Sequence, residues 1–331
     1  NPSFNELTTE DRIYQGDYKK WIKFANSLKL RIAIRISNAV PEYAQEKAEE
    51  AVSHPYGVMD SNDCDAYDNI TATNYKNGLA SVNSCGEVRA NACIVSFMNG
   101  YQDPRCEAYF TKSSASGDYD YIGVRSGIQG ITTSMFSTYS TVKVETKTPM
   151  LIFNAAEVAF LRAEGALKKW NMGGTAEEFY KEGIRLSFNE HGISGADAYI
   201  ANNTNVPADY ICPLNAAYNY TNPCKLTVAW DKTGANADED NLQRILTQKM
   251  IANFPIGNET WADFRRTGYP AVFPAHDNLS TQGVTKERQQ RRLRFSEDEY
   301  NSNGANVTEA CTFLSNGQDT DATDLWWAKK D

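Results

Sequence analysis

Between Pro149 and Gly192, apolar residues recur at Phe153, Ala156, Phe160, Ala163, Leu167 and Trp170, in steps of three and four. That spacing marks one face of a helix. A second apolar set, Leu151, Ala155, Val158 and Ala159, covers much of the remaining circumference, so this helix is expected to be buried on more than one side. Lys168 and Lys169 suit its last turn, and Asn171-Met172-Gly173-Gly174 breaks it, the glycines being free to take positive φ. Thr175-Ala176-Glu177-Glu178 reads as a capping box; Phe179, Gly183 or Ile184, Leu186 and Phe188 continue the period, and Gly192 follows as a stop. Two such helices joined by a Gly-Gly turn make an antiparallel hairpin, in which Ala156, Ala159, Ala163, Gly165 and Ala166 permit close approach. The logic is that of a tetratricopeptide-type unit, without the full repeat consensus.

The rest of the chain alternates between helical periods and irregular stretches. After a polar lead-in over residues 1–16, Asp17 caps a helix running to about Asn38. Trp21, Ala25, Leu28, Ile32 and Ile36 form its apolar face, and Lys20, Lys23, Arg31 and Arg35 the opposite, basic one, expected to be solvated and paired to the next helix. That helix begins at Pro41 and sets Glu42, Glu46, Glu49 and Glu50 against Ala44, Ala48, Ala51 and Val52, giving a second hairpin over 17–54. The period vanishes over 57–90, returns as a short helix within 89–101, and vanishes again over 111–148, a loop or short-strand region. Residues 193–238 form a third excursion, with Tyr210, Tyr218, Tyr220 and Trp230. A helix from Glu239 stops at Pro255-Ile256-Gly257, Asn258 caps a short helix closed by Gly268, and a last helix lies near 306–314. The expected class is mainly α: tetratricopeptide-like hairpins, long irregular inserts and few short strands in one domain over 1–331.

Apolar content of 41% and aromatic content of 11% are those of a globular chain. A net charge of −9 speaks against a nucleic-acid partner, and no run of 18 apolar residues predicts a transmembrane helix. No signal peptide is read, and the opening Asn1-Pro2 suggests a processed or truncated start. Seven cysteines leave at least one without an intrachain partner; Cys212 and Cys224, flanking a Pro- and Asn-rich loop, are the candidate disulfide, with buried free thiols as the alternative.

Catalytic signatures are missing: no G-x-S-x-G, H-E-x-x-H, P-loop or G-x-G-x-x-G occurs, and no ligand spacing links His54, His191 and His276. Asp60-Ser61-Asn62-Asp63 and Asp319-Thr320-Asp321 carry oxygen ligands for Ca²⁺ but miss the EF-hand spacing, so no cofactor is expected. The candidate ligand-binding residues are Tyr119, Tyr121 and Tyr139, with Arg125 among them, in a Ser/Thr/Gly/Asp setting. Sugar rings stack their C–H faces on aromatic rings while their hydroxyls need polar side chains nearby.

Several stretches become specific when read together: Lys20-Trp21-Ile22-Lys23-Phe24-Ala25-Asn26-Ser27-Leu28-Lys29-Leu30-Arg31; Asn99-Gly100-Tyr101-Gln102-Asp103-Pro104-Arg105; Ala155-Ala156-Glu157-Val158 with Leu161-Arg162-Ala163-Glu164-Gly165; Thr247-Gln248-Lys249 through Trp261-Ala262-Asp263-Phe264-Arg265-Arg266-Thr267-Gly268-Tyr269-Pro270; and Arg291-Arg292 with Asn301-Ser302-Asn303-Gly304-Ala305-Asn306-Val307. In this order the chain resembles the SusD/RagB-like family of Bacteroidota, from about residue 11 to the C-terminus. The resemblance implies a non-enzymatic, lipid-anchored protein of the outer-membrane surface that captures oligosaccharide and lids a SusC-like TonB-dependent transporter. Family members are longer, and their N-terminal part with the lipidated Cys has no counterpart here, so the anchor is expected to lie outside this chain. No family motif transfers ligand residues position by position, which leaves the three tyrosines and Arg125 resting on composition. The rival expectations are a RagB-like peptide binder, a hydrolase with two facing carboxylates, and a helical adaptor, the last favoured if the tyrosines are buried.

Overall fold

The computed structural model of the chain describes residues 8–328; the first seven residues of the lead-in lie outside them. The element order is α1 (Tyr18–Ile36), α2 (Pro41–Val52), β1 (Ala66–Asp68), α3 (Gly78–Ser84), α4 (Ala92–Tyr101), α5 (Cys106–Tyr109), β2 (Met150–Phe153), α6 (Ala155–Leu167), α7 (Ala176–Glu190), α8 (Ala196–Ile200), α9 (Ala237–Ala252), α10 (Gly257–Thr267) and α11 (Glu297–Cys311). The fold is mainly helical, and β1 and β2 form one two-stranded antiparallel sheet. Among the described residues no helix is long and apolar enough to cross a membrane.

Helix α6 is the centre of the packing: it lies against α7, α9 and α1. Its Ala155, Ala156, Val158, Ala159, Phe160, Leu161 and Ala163 are all buried, as two apolar sets around one helix require. The Thr175–Glu178 capping box forms at the start of α7. Gly183 lets α6 and α7 close up, because a Cβ there would sit 2.7 Å from the Phe160 ring. The second hairpin, α1 and α2, starts at the Asp17 cap and at Pro41.

Several expectations change. Leu151 and Phe153 belong to β2 rather than to the central helix, because the strand pairs with residues 66–68 across more than eighty positions of sequence. Asn154 then caps α6, accepting from the Glu157 N–H at 2.8 Å, while Asp65 accepts from the Ala155 N–H at 2.6 Å. The helix closes at Leu167, and Lys169 takes φ 69°. The irregular stretch 57–90 contains β1 and α3. In α10 the cap position is Ile256, and α11 starts at Glu297, capped by Ser296 and about nine residues before the expected helix, with a kink at Asn303.

The basic side of α1 turns inward. Arg31 meets Glu157 at 2.7 Å and Glu259 at 3.7 Å, and Arg35 meets Glu259. From Glu157 the chain of charge continues through Lys249 (3.5 Å), Asp263 (2.9 Å), Arg266 (3.3 Å) and Glu164 (2.5 Å). It ties α1, α6, α9 and α10 together. Burial pushes the Asp263 carboxyl up, but Lys249 and Arg266 outweigh it and hold the group below the ordinary carboxylate range. The C-terminal basic run is absorbed too: Arg288 and Arg291 pair with Asp324, Arg292 with Asp319, and Arg294 with Asp321.

Candidate functional site

The irregular inserts 111–148 and 193–238 meet over α4. Backbone bonds hold them there: Val124 N–H donates to Ala90 O, Ala92 N–H to Val124 O, and Ala208 N–H to Ser96 O, at 2.8–3.0 Å. Gly100 makes the last contact possible, since a Cβ would fall 2.1 Å from Ala208 N and 2.2 Å from Val206 O. Tyr210 and Tyr220 exchange two backbone bonds, and the Tyr210 hydroxyl donates to Gly123 O at 2.9 Å. The Asn99 amide donates to Tyr121 O at 2.8 Å.

These contacts frame a cleft of about 140 Å³ whose lining includes Asn99, Ser116, Asp118, Tyr119, Tyr121, Asp209 and Ile211. Tyr119 stands at its lip, 44% exposed, and Tyr121 lies half-buried behind it. The Tyr119 and Tyr121 hydroxyls, Ser116 and Asp118 have no side-chain partner among the described residues. Burial raises the Tyr121 phenol above its ordinary value, so it stays a neutral donor and acceptor. Asp209 accepts from the Asn222 N–H at 2.9 Å and from Lys225 at 3.2 Å, which together hold its carboxyl below the ordinary range.

The four candidates therefore separate. Tyr119 and Tyr121 share the cleft. Tyr139 is 4% exposed beneath it: its hydroxyl accepts from Leu214 N–H at 3.2 Å and lies 3.3 Å from Cys212 Sγ, so it supports the 212–214 turn. Arg125 lines a different hollow, its guanidinium 4.6 Å over the Tyr220 ring and directed at the carbonyls of Asn219 and Pro274. The expected Cys212–Cys224 bridge is not formed; both thiols are free and buried. The two acidic clusters are spent on cations, Asp60 on Lys23 and Asp319 on Arg292, and no metal-holding group of His, Cys, Asp or Glu occurs among the described residues. Asn99, Ser116 and Asp209 escaped sequence reasoning, because nothing local distinguishes them from other loop polar residues.

The family described as SusD-like, "Susd and RagB outer membrane lipoprotein", matches residues 2–328. The chain belongs to the SusD-like family. A SusD-like protein from Bacteroides thetaiotaomicron has 49% identity and a TM-score of 0.93, over 99% of this chain and 68% of its own. A chitin-binding SusD homologue from Flavobacterium johnsoniae has 40% identity and a TM-score of 0.92, over 98% of this chain and 67% of its own. A SusD homologue from Bacteroides thetaiotaomicron has 39% identity and a TM-score of 0.90, over 99% and 69%. No curated protein matches the chain.

The SusD-like stretches of the sequence turn out to be frame residues. Arg31, Glu157, Glu164, Lys249, Asp263 and Arg266 are the buried charge chain. Asp103 and Arg105 form a second fully buried pair at 2.6 Å, in which Arg105 also donates to Ser187 at 2.9 Å and Gln248 at 2.8 Å, and Tyr199 donates to Asp103 at 2.8 Å.

Proposed function

We propose that this SusD-like protein binds glycan without turning it over, with Tyr119 and Tyr121 as the stacking and hydrogen-bonding side chains of one subsite. One observation carries the reading: an open tyrosine lip with unspent polar groups behind it, in a chain 40% identical to a chitin-binding homologue. Aromatic faces take the apolar side of a pyranose, and Ser116, Asp118 and the tyrosine hydroxyls address its polar rim. A cleft of about 140 Å³ cannot enclose an oligosaccharide, which fits capture of one ring of a longer chain lying across the surface. Glycoside hydrolysis needs one carboxyl kept protonated as general acid. Asp209 is biased the other way by Asn222 and Lys225, which supports binding without cleavage.

Surface location, a lipid anchor and transfer of glycan to a SusC-like TonB-dependent transporter, with this protein as lid, belong to the same reading. Membership of an outer-membrane lipoprotein family supports the surface location and the anchor. Isothermal titration with chitooligosaccharides, other glycans and peptide pools tests the ligand class. Binding of a glycan that Tyr119→Ala weakens supports the proposal; binding of peptides alone, or release of new reducing ends, overturns it. Co-purification of a TonB-dependent transporter from detergent-solubilised outer membrane tests the partnership.

A further inference from the structure

Arginines in this molecule are spent in two ways. Most face a carboxylate, while Arg89, Arg162, Arg244 and Arg265 each hold a backbone carbonyl at 2.7–3.1 Å. Arg125 does neither. It is 7% exposed and makes no ion pair among the described residues; its three carbonyl contacts run from 3.3 to 3.5 Å, and its Nε–H has no partner. Asp277 acts on it only from beyond ion-pair distance, being engaged by His276 at 2.8 Å and by the Gln129 N–H at 3.0 Å. Desolvation pulls the guanidinium below the ordinary arginine value, as befits a buried cation that lacks its counter-charge.

Arg125 lines an open hollow of about 410 Å³ together with Arg89, Ser126 and Thr133, a size suited to a small ligand. Donors outnumber acceptors there. Arg89 is held by carbonyls through Nε and Nη1, which leaves its Nη2 unspent. Ser126 Oγ accepts from the Asn91 amide at 3.1 Å and keeps its own proton to give. The Thr133 hydroxyl and the N–H groups of Gly127 and Ile128 have no partner among the described residues. The turn is firmly moored: Ser126 O accepts from His276 N–H at 2.8 Å, and a Cβ on Gly127, at φ 80°, would fall 2.6 Å from Ala275 Cβ. Among the lining residues the one opposing charge is Glu87, on the exposed rim.

We propose that this hollow binds the carboxylate of an acidic sugar, with Arg125 as the charge-pairing residue and the Ser126 and Thr133 hydroxyls on the sugar ring. A guanidinium is a planar fork that matches a carboxylate, and the Tyr220 ring, 4.6 Å beneath it, backs that plane. Gly123 lines the tyrosine cleft and the next residue, Val124, lines the hollow, so one insert carries both. The proposal gives the glycan reading a substrate class, a chain containing uronic acid, and it rests on that reading for the kind of molecule that bears the carboxylate.

Isothermal titration of the chain compares three ligands: an oligosaccharide containing glucuronic acid, the same oligosaccharide with its carboxyls reduced to alcohols, and acetate. The acidic oligosaccharide should bind about tenfold tighter than its reduced form, and tighter than acetate. Arg125→Gln should bring the acidic-to-reduced ratio close to one, and Arg125→Lys, which keeps the charge but loses the fork, should leave it between the two. Glu87→Gln should raise the ratio about twofold at an unchanged melting temperature. Tyr119→Ala should weaken both oligosaccharides alike and leave the ratio standing, so failure of the tyrosine subsite and failure of the carboxylate site are read apart. A ratio near one in the unaltered chain, a ratio that survives Arg125→Gln, or acetate bound as tightly as the acidic oligosaccharide overturns the proposal. Should Arg125→Gln fail to fold, a ratio unmoved by both Arg125→Lys and Glu87→Gln overturns it equally.

Discussion

The helical frame and the loop cleft treat polar side chains in opposite ways. In the frame every strongly charged group in the α1–α6–α9–α10 chain faces an opposite charge, and Arg266 and Glu164 are each 1% exposed. In the cleft, Ser116, Asp118 and the hydroxyls of Tyr119 and Tyr121 have no side-chain partner among the described residues. Buried polar groups must be satisfied internally to keep the fold, whereas a binding surface must leave some unsatisfied to have anything to offer. The contrast teaches where to look: paired charges report architecture, and polar groups left free at an open cleft report ligand.

The sharpest break of that comparison is Arg266→Ala. It strands Glu164 in the interior, while Asp263 keeps Lys249, and should cost about 3–5 kcal/mol in urea unfolding. A loss below about 1 kcal/mol would show that water or rearrangement replaces the guanidinium, and the frame would not depend on its charge pairs. Next comes Glu190, buried in the frame with hydrogen bonds from Asn154 and Tyr67 but no ion pair. Burial pushes its carboxyl up from 4.5 to about 8. Between those values the folded chain keeps a proton that the unfolded chain has released, so stability falls as pH rises through the window. The fall should be on the order of 3 kcal/mol between pH 5 and 8, and Glu190→Gln should flatten it; parallel pH profiles of the two proteins would refute the assignment.

Gly100→Ala joins the two regions. Its methyl would meet the 206–208 backbone at 2.1–2.5 Å, so that segment must lift from α4, at about 1–3 kcal/mol and with weakened glycan binding. Unchanged binding would separate the cleft from the frame. The smallest effects belong to the lip. Tyr119→Ala should weaken chitooligosaccharide binding about five- to tenfold, roughly 1 kcal/mol, and move the melting temperature by no more than about one degree. Tyr139→Phe should leave affinity within twofold, because that ring lies beneath the cleft.

Much of the frame was legible because its signals are local. The Thr175–Glu178 box, the Asp17 cap and the alanine-rich face of α6 are each written within a few residues. What failed depended on partners distant in sequence. Met150–Phe153 has helical spacing, yet pairs with 66–68 as a strand. Spacing along α1 predicts a solvated basic side, and only Glu157 and Glu259, remote in the chain, draw its arginines to the inside instead. The cleft was half legible for the same reason. Tyr119 and Tyr139 sit in similar polar surroundings along the chain, and Phe136 and the 212–214 turn, not the neighbours in sequence, bury the second.

The inserts are fastened to α4 through peptide groups, at Ala90, Ala92, Ser96, Val124 and Ala208, with little demand on which side chains those inserts carry. Mutational drift in the outward-facing positions of either loop therefore need not disturb how it is moored. A lineage carrying this fold can rebuild the surface around Tyr119 by altering a handful of codons while the rest of the gene stands still.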